Sequence, residues 1–173
     1  MKRIVEKGFT LTELIVTLCI AAIFITVAVP GYYALIQNNK VVAMVNRLSA
    51  SLNFARMEAI KRGVRVSVCS AGNAALTTCG SASQWAQGWI VFVDANNNNL
   101  IDSNNDLVKV NEALPSGTRV NADASIVSYN SMGFASSGAM NLSVTATGCK
   151  GNNARSLNIS ASGRLSISRI ACQ

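Results

Sequence analysis

Residues 9–29 read FTLTELIVTLCIAAIFITVAV, with MKRIVEKG ahead of them and Pro30-Gly31 behind. Glu13 is the only carboxylate in that run, and it holds no Lys or Arg. As an α-helix its 21 residues would rise about 31 Å, close to the hydrocarbon thickness of a bilayer. Lys2, Arg3 and Lys7 precede it against one acid, Glu6, which favours a cytoplasmic N-terminus and export of the residues beyond the run. A secretory signal peptide is the plainest reading. However, its apolar core is usually only ~7–15 residues, and no small-x-small site closes this run. An uncut signal anchor fits the length better but leaves Glu13 unexplained. A carboxylate at mid-membrane costs about 2.5–3.5 kcal/mol and is a candidate for function.

The remainder of the composition narrows the class. The chain has 173 residues, 15 Lys+Arg against 8 Asp+Glu, no His, five Cys and two Pro. That length suits one domain with a single core. Lack of His removes the commonest general base and metal ligand, and with them imidazole-dependent triads and most zinc enzymes. An enzyme is not expected. Charged residues make up 13%, against the usual ~25%, and the N-terminal run accounts for much of the deficit.

Gly8-Phe9-Thr10-Leu11-Thr12-Glu13, between a short basic leader and an apolar helix, resembles the class III signal of type IV pilins and pseudopilins. The resemblance implies cleavage between Gly8 and Phe9 by a prepilin peptidase, and N-methylation of Phe9. It implies that Glu13 pairs with the N-terminal amine of a neighbouring subunit. A desolvated pair of this kind sets register better than it adds stability. Pro30 deletes one helix hydrogen bond and usually kinks the axis; pilins often carry a proline there, where the helix bends or melts on packing into a filament.

Beyond Pro30, Val41, Val45, Leu48, Leu52, Ala55 and Ala59 recur at spacings of three and four, with Met44 and Ile60 widening the stripe. This is the apolar face of a helix on which a β-domain packs. Gly63 is a suitable C-cap. Strands are expected at 65–69, 89–93, 107–110, 118–120, 125–129, 142–146, 157–159 and 165–167, separated by Gly, Asn and Ser clusters. The expected class is α+β, a type IV pilin-like fold with a long N-terminal helix packed on an antiparallel β-domain. The organisation reads as a cleaved leader at 1–8, a transmembrane and filament-core helix at 9–30, and a periplasmic domain at 31–173. Within that domain, 31–62 is the amphipathic helix and 64–173 is β-rich.

FARMEAIKRGVRVSVCS and QWAQGWIVFVDANNNN are similar to segments of the GspH/FimT family, with Ala55-Arg56, Glu58-Ala59-Ile60, Gly88-Trp89, Phe92 and Asp94 as anchors. Membership implies a minor pilin of a type IV pilus that primes assembly at or near the tip; the alternative is the H-type pseudopilin of a type II secretion system. Implied partners are other major and minor pilins through the N-terminal helix, the prepilin peptidase and the inner membrane. The implied location is the inner membrane, single-pass with the C-terminal domain in the periplasm, then the extracellular pilus tip. No cofactor is implied.

Cys19 reads as a small apolar residue. Cys69, Cys79, Cys149 and Cys172 allow three disulfide connectivities, among which sequence alone does not choose. The local scheme, Cys69–Cys79 with Cys149–Cys172, is adopted; each short loop is worth about 3 kcal/mol. A metal site would be the alternative use, but there is no CxxC pair and no His. Disulfides would place the domain in an oxidising compartment. Asp94, Asn96, Asn98 and Asp102 have the first, third, fifth and ninth positions of a calcium loop, but Asn99 stands for its Gly and Asn105 for its Glu. A polar turn explains them more simply.

From residue 124 onward there is no acid, only Lys150, Arg155, Arg164 and Arg169. FimT-type pilins of transformable bacteria bind DNA through Gly-Arg-x-Arg, whereas this chain has Gly163-Arg164-Leu165-Ser166, with Arg169 as the nearest substitute. Double-stranded DNA is therefore a candidate partner through phosphates alone, with Arg164, Arg169, Lys150 and Arg155 as the candidate contacts.

Overall fold

The computed structural model describes residues 8–172. Most of the expected leader and Gln173 lie outside them. One helix, α1, runs Leu11–Arg62, and eight strands come after it: β1 Val66–Ser70, β2 Trp89–Val93, β3 Leu107–Asn111, β4 Thr118–Ala122, β5 Ile126–Tyr129, β6 Met140–Ala146, β7 Ala154–Ile159 and β8 Leu165–Ile170. The fold is α+β. Packing divides the chain into two units, Met1–Ile36 and Gln37–Gln173, and α1 contributes to both.

In the second unit α1 buries Val41, Met44, Val45, Leu48, Leu52, Ala55 and Ala59. Ile60 departs from the expected stripe and is 50% exposed. Its neighbour one turn back, Met57, is exposed too, so Ile60 falls at the margin of the covered arc. The helix ends where Gly63, at φ 69, donates its N–H to the Ala59 carbonyl at 3.0 Å. That left-handed turn is the usual glycine stop.

The strands form two antiparallel four-stranded sheets, ordered β3-β2-β1-β5 and β4-β6-β7-β8. Alternate residues point to α1. Val66, Val68, Trp89, Val91, Val127 and Tyr129 come from the first sheet, and Val120, Leu142, Val144, Leu157 and Ile159 from the second, into one cluster with the helix stripe. Each fully buried large aliphatic there contributes about 1.5–3 kcal/mol by leaving water. Trp85 completes the cluster from a short 3-10 turn, Ala82–Gln87, and donates its indole N–H to the Ala124 carbonyl at 2.9 Å. On the other face of the first sheet, Cys69, Ala71, Ile90 and Phe92 form a smaller cluster under Leu76, Cys79, Ile101 and Leu107. Loops thus cover the face that the helix does not reach.

Candidate functional site

The helix start supplies the first candidate surface. Thr10 stands just before α1 and Glu13 in its first turn. The Thr10 N–H donates to Glu13 Oε2 at 2.9 Å, the Thr10 hydroxyl donates to the same oxygen at 3.0 Å, and the Glu13 N–H donates to Thr10 Oγ1 at 3.3 Å. Thr-x-x-Glu is a capping box, in which each residue satisfies the other's free donor. The spacing was legible in the sequence as a helix start, a role separate from any contact with a second subunit. Gly8 and Phe9 precede the helix, and Phe9 is 90% exposed.

From Leu14 to Ile25 the large apolar side chains are exposed. The Thr17 and Thr26 hydroxyls turn back to donate to the Leu14 and Ile23 carbonyls, at 2.8 and 2.9 Å. Their polarity is hidden against the helix backbone. Cys19 is exposed and unbridged among the described residues. Glu13 is therefore the one ionic group on an apolar helix surface. Helical backbone continues through Pro30 and Gly31, although Pro30 has no N–H for the Thr26 carbonyl.

The two disulfides join Cys69 to Cys79 and Cys149 to Cys172. The first ties a loop over the outer cluster of the first sheet. The second ties the chain end to the turn before β7, where the Cys172 N–H also donates to the Gly151 carbonyl at 2.9 Å.

The Asn-rich loop closes on itself. Asp94 is buried and ion-paired to Arg65 at 3.3 Å, and it accepts from the Asn99 N–H at 3.2 Å. Asp102 accepts from the Asn96 and Asn98 amides at 2.8 and 2.9 Å. Asn97 and Asn99 both take φ 62, the left-handed geometry that Asn tolerates in turns. The two carboxylates are thus engaged by protein donors, in the manner of a polar turn.

The four C-terminal cations fall into two groups. Arg164 is exposed at the start of β8, on the face of Ser166 and Ser168. Arg155 and Arg169 are direct cross-strand partners at the other end of the ladder, on the opposite face, the one that holds Leu157 and Ile159. Lys150 lies in the turn before β7 that the Cys149–Cys172 bridge secures, at the Arg155–Arg169 end. Some five strand residues, about 16 Å, separate Arg164 from Arg169 along β8. The bridge joins Lys150 and Arg155 to Arg169 and leaves Arg164 apart.

Arg56, one of the family anchors in the sequence, has a tertiary role that its spacing does not indicate. Its Nε donates to the Gly133 carbonyl at 2.9 Å and its Nη2 to the Ser162 carbonyl at 3.2 Å. One side chain of α1 thereby holds the turns before β6 and before β8. Near it Met57, Ile60, Met132 and Phe134 remain exposed, and Ile60 reaches the Gly133 turn.

A family model described as Type II transport protein GspH matches residues 44–163. Among solved structures, the type IV minor pilin FimU of Pseudomonas aeruginosa is similar over 75% of this chain and 89% of its own, at 16% identity and a TM-score of 0.59. The minor pseudopilin EpsH of the Vibrio cholerae Type 2 Secretion System is similar over 75% of this chain and 97% of its own, at 13% identity and a TM-score of 0.54. Both likenesses concern the fold. No curated protein matches the chain.

Proposed function

The chain belongs to the GspH family of pilin-like proteins, and we propose that it is a minor pilin of a type IV pilus, priming filament assembly and sitting at or near the tip. One observation carries the reading: a helix surface that is apolar, exposed and marked by a single carboxylate, Glu13. Such a surface needs a bilayer or other helices around it, and the family implies assembly with other pilins or pseudopilins.

In this reading the prepilin peptidase cuts between Gly8 and Phe9, so that Phe9 carries the new amine and its methyl group. The subunit then waits in the inner membrane with its C-terminal domain in the periplasm. Glu13 has one oxygen committed to Thr10, and the other would receive a neighbour's amine within an apolar bundle. Low dielectric strengthens that attraction, and an unmet charge there would be costly. Both effects select one axial register.

The test is a deletion strain lacking any redundant subunit, complemented with variants. Gly8 replaced by a bulky residue is expected to block processing, read from the mass of the membrane-extracted protein. Glu13→Ala is expected to be processed and inserted yet to restore few pili. Normal removal of residues 1–8 in the first strain, or wild-type pilus counts in the second, contradicts the assignment.

The family description favours a second reading, the H-type pseudopilin of a type II secretion system. It uses the same helix and the same carboxylate. Loss of secretion with piliation intact in the deletion strain would select it. A contribution to DNA uptake would draw on the exposed cations of the acid-free C-terminal part, Arg164 at one end and Lys150 with Arg169 at the other.

A further inference from the structure

One end of the second sheet sets two arginines side by side, with no acid paired to either among the described residues. Arg155 of β7 lies directly opposite Arg169 of β8, so both side chains leave the same face with Cβ atoms about 5 Å apart. Like charges in that position repel and destabilise the ladder. Arg155 is moreover only 7% exposed. Its Nη1 donates to the Ala154 carbonyl at 3.1 Å and its Nη2 to Asn38 Oδ1 of α1 at 3.4 Å, both neutral acceptors. The ion pairs found among the described residues join Glu58 to Lys61 and Arg62, and Asp94 to Arg65. Neither Arg155 nor Arg169 is among them, and no Asp or Glu occurs after Asp123. A buried cation without a counter-ion is costly. Here a second cation stands beside it, and that one, Arg169 on the edge strand β8, is exposed to solvent.

We propose that Arg155 and Arg169 form a seat for a phosphate group. Guanidinium forks present paired N–H donors in a plane and hold oxyanions bidentately. Two adjacent forks suit an anion whose charged oxygens point in more than one direction. A tetrahedral phosphate offers that, whereas a carboxylate is satisfied by a single fork. Lys150, tied to the same end by the Cys149–Cys172 bridge, adds charge at the rim. The phosphate is either free or part of a phospholipid headgroup. Asn38, which meets Arg155, lies nine residues past Val29, the last residue of the apolar run. The lipid source rests on the proposed membrane anchoring of the first half of α1; the seat itself does not.

The experiment monitors thermal melting of the full chain in non-ionic detergent, in sodium phosphate or sodium chloride at matched pH and ionic strength. Wild type and Arg164→Gln are expected to gain about 3 °C in Tm once phosphate reaches roughly ten times its Kd. Arg169→Gln is expected to gain none. In chloride Arg169→Gln should melt at or above the wild type, because a like-charge pair has been relieved, so phosphate reverses the order of the two proteins. Arg169 is on an exposed edge, which keeps the test usable where Arg155→Gln fails to fold. In phosphatidylglycerol nanodiscs, a headgroup in the seat would leave added phosphate without effect on the wild type. A free-phosphate seat would still respond. An equal rise in wild type and Arg169→Gln overturns the proposal. So does equal stabilisation by glutarate, which would assign the pair to a partner's carboxylate.

Discussion

Arg56 shows how one residue joins distant parts of this chain. It spans from α1 to the carbonyls of Gly133 and Ser162, and the two turns it holds touch each other. Gly163 has φ +73, and a Cβ there would run into the Gly133 carbonyl. Gly148 has a similar φ, +79, but open space around it. The pair separates backbone strain from collision. Gly148→Ala is expected to cost about 1 kcal/mol, from left-handed strain alone, and Gly163→Ala about 3 kcal/mol, since overpacking adds to it. Urea unfolding of the full chain in detergent measures both; equal losses would mean that the turns yield to each other. Tyr129, buried nearby, has its phenol pushed up to about 12 by burial, with the Arg56 guanidinium pulling the other way. An unfolded Tyr ionises near 10, so this contribution to stability is complete below about pH 10 and declines by roughly 3 kcal/mol as pH rises to 12. Absorbance at 295 nm is expected to show a step near 12 that Tyr129→Phe removes.

Among the elements, α1 does two jobs with one period. Its second half buries a stripe of small and branched residues under both sheets, while the apolar residues of its first half stay exposed. The Cys69–Cys79 loop does the complementary work on the first sheet, closing over Ile90 and Phe92. Cys69→Ser with Cys79→Ser is expected to lower stability by about 3 kcal/mol, as for a short disulfide loop. It should also expose the outer cluster, which a rise in binding of a hydrophobic dye would report. Unchanged stability would mean that loop packing alone holds the cover. At the helix end, the Arg62 guanidinium, 2.6 Å from Glu58, holds that carboxyl below the usual range.

At the scale of the molecule, charge is distributed by topology. Five of the eight acids lie between Asp94 and Asp123, and the C-terminal cations sit on β7, β8 and the turns beside them. Because Arg164 is apart from Arg169 and on the other face, the C-terminal cations offer no continuous track for a duplex. A titration of the full chain with short duplex DNA is expected to show a log–log salt slope of about −2, from two phosphate contacts at one end. A slope of about −3 or steeper, flattened by Arg164→Gln and by Arg169→Gln alike, would show that both ends engage the same duplex.

Sequence by itself determined what local pattern determines. The apolar run and its lone Glu13, the stripe from Val41 to Ala59, and eight short segments separated by Gly, Asn and Ser clusters were enough for a long helix followed by antiparallel strands, because these signals act within a few residues. Tertiary structure decided what depends on register. Sequence spacing puts Arg164 and Arg169 on opposite faces of one strand, but it does not place Arg155 beside Arg169 or lay Arg56 across two turns. Those neighbours arise from the pairing of β7 with β8 and from the packing of α1 beside the turns before β6 and β8. A one-residue slip in that pairing would send every side chain of β8 to the other face. The register is held because Leu165 of β8 packs against the core opposite Ile159, and burial of that kind is a property of the assembled fold rather than of any segment.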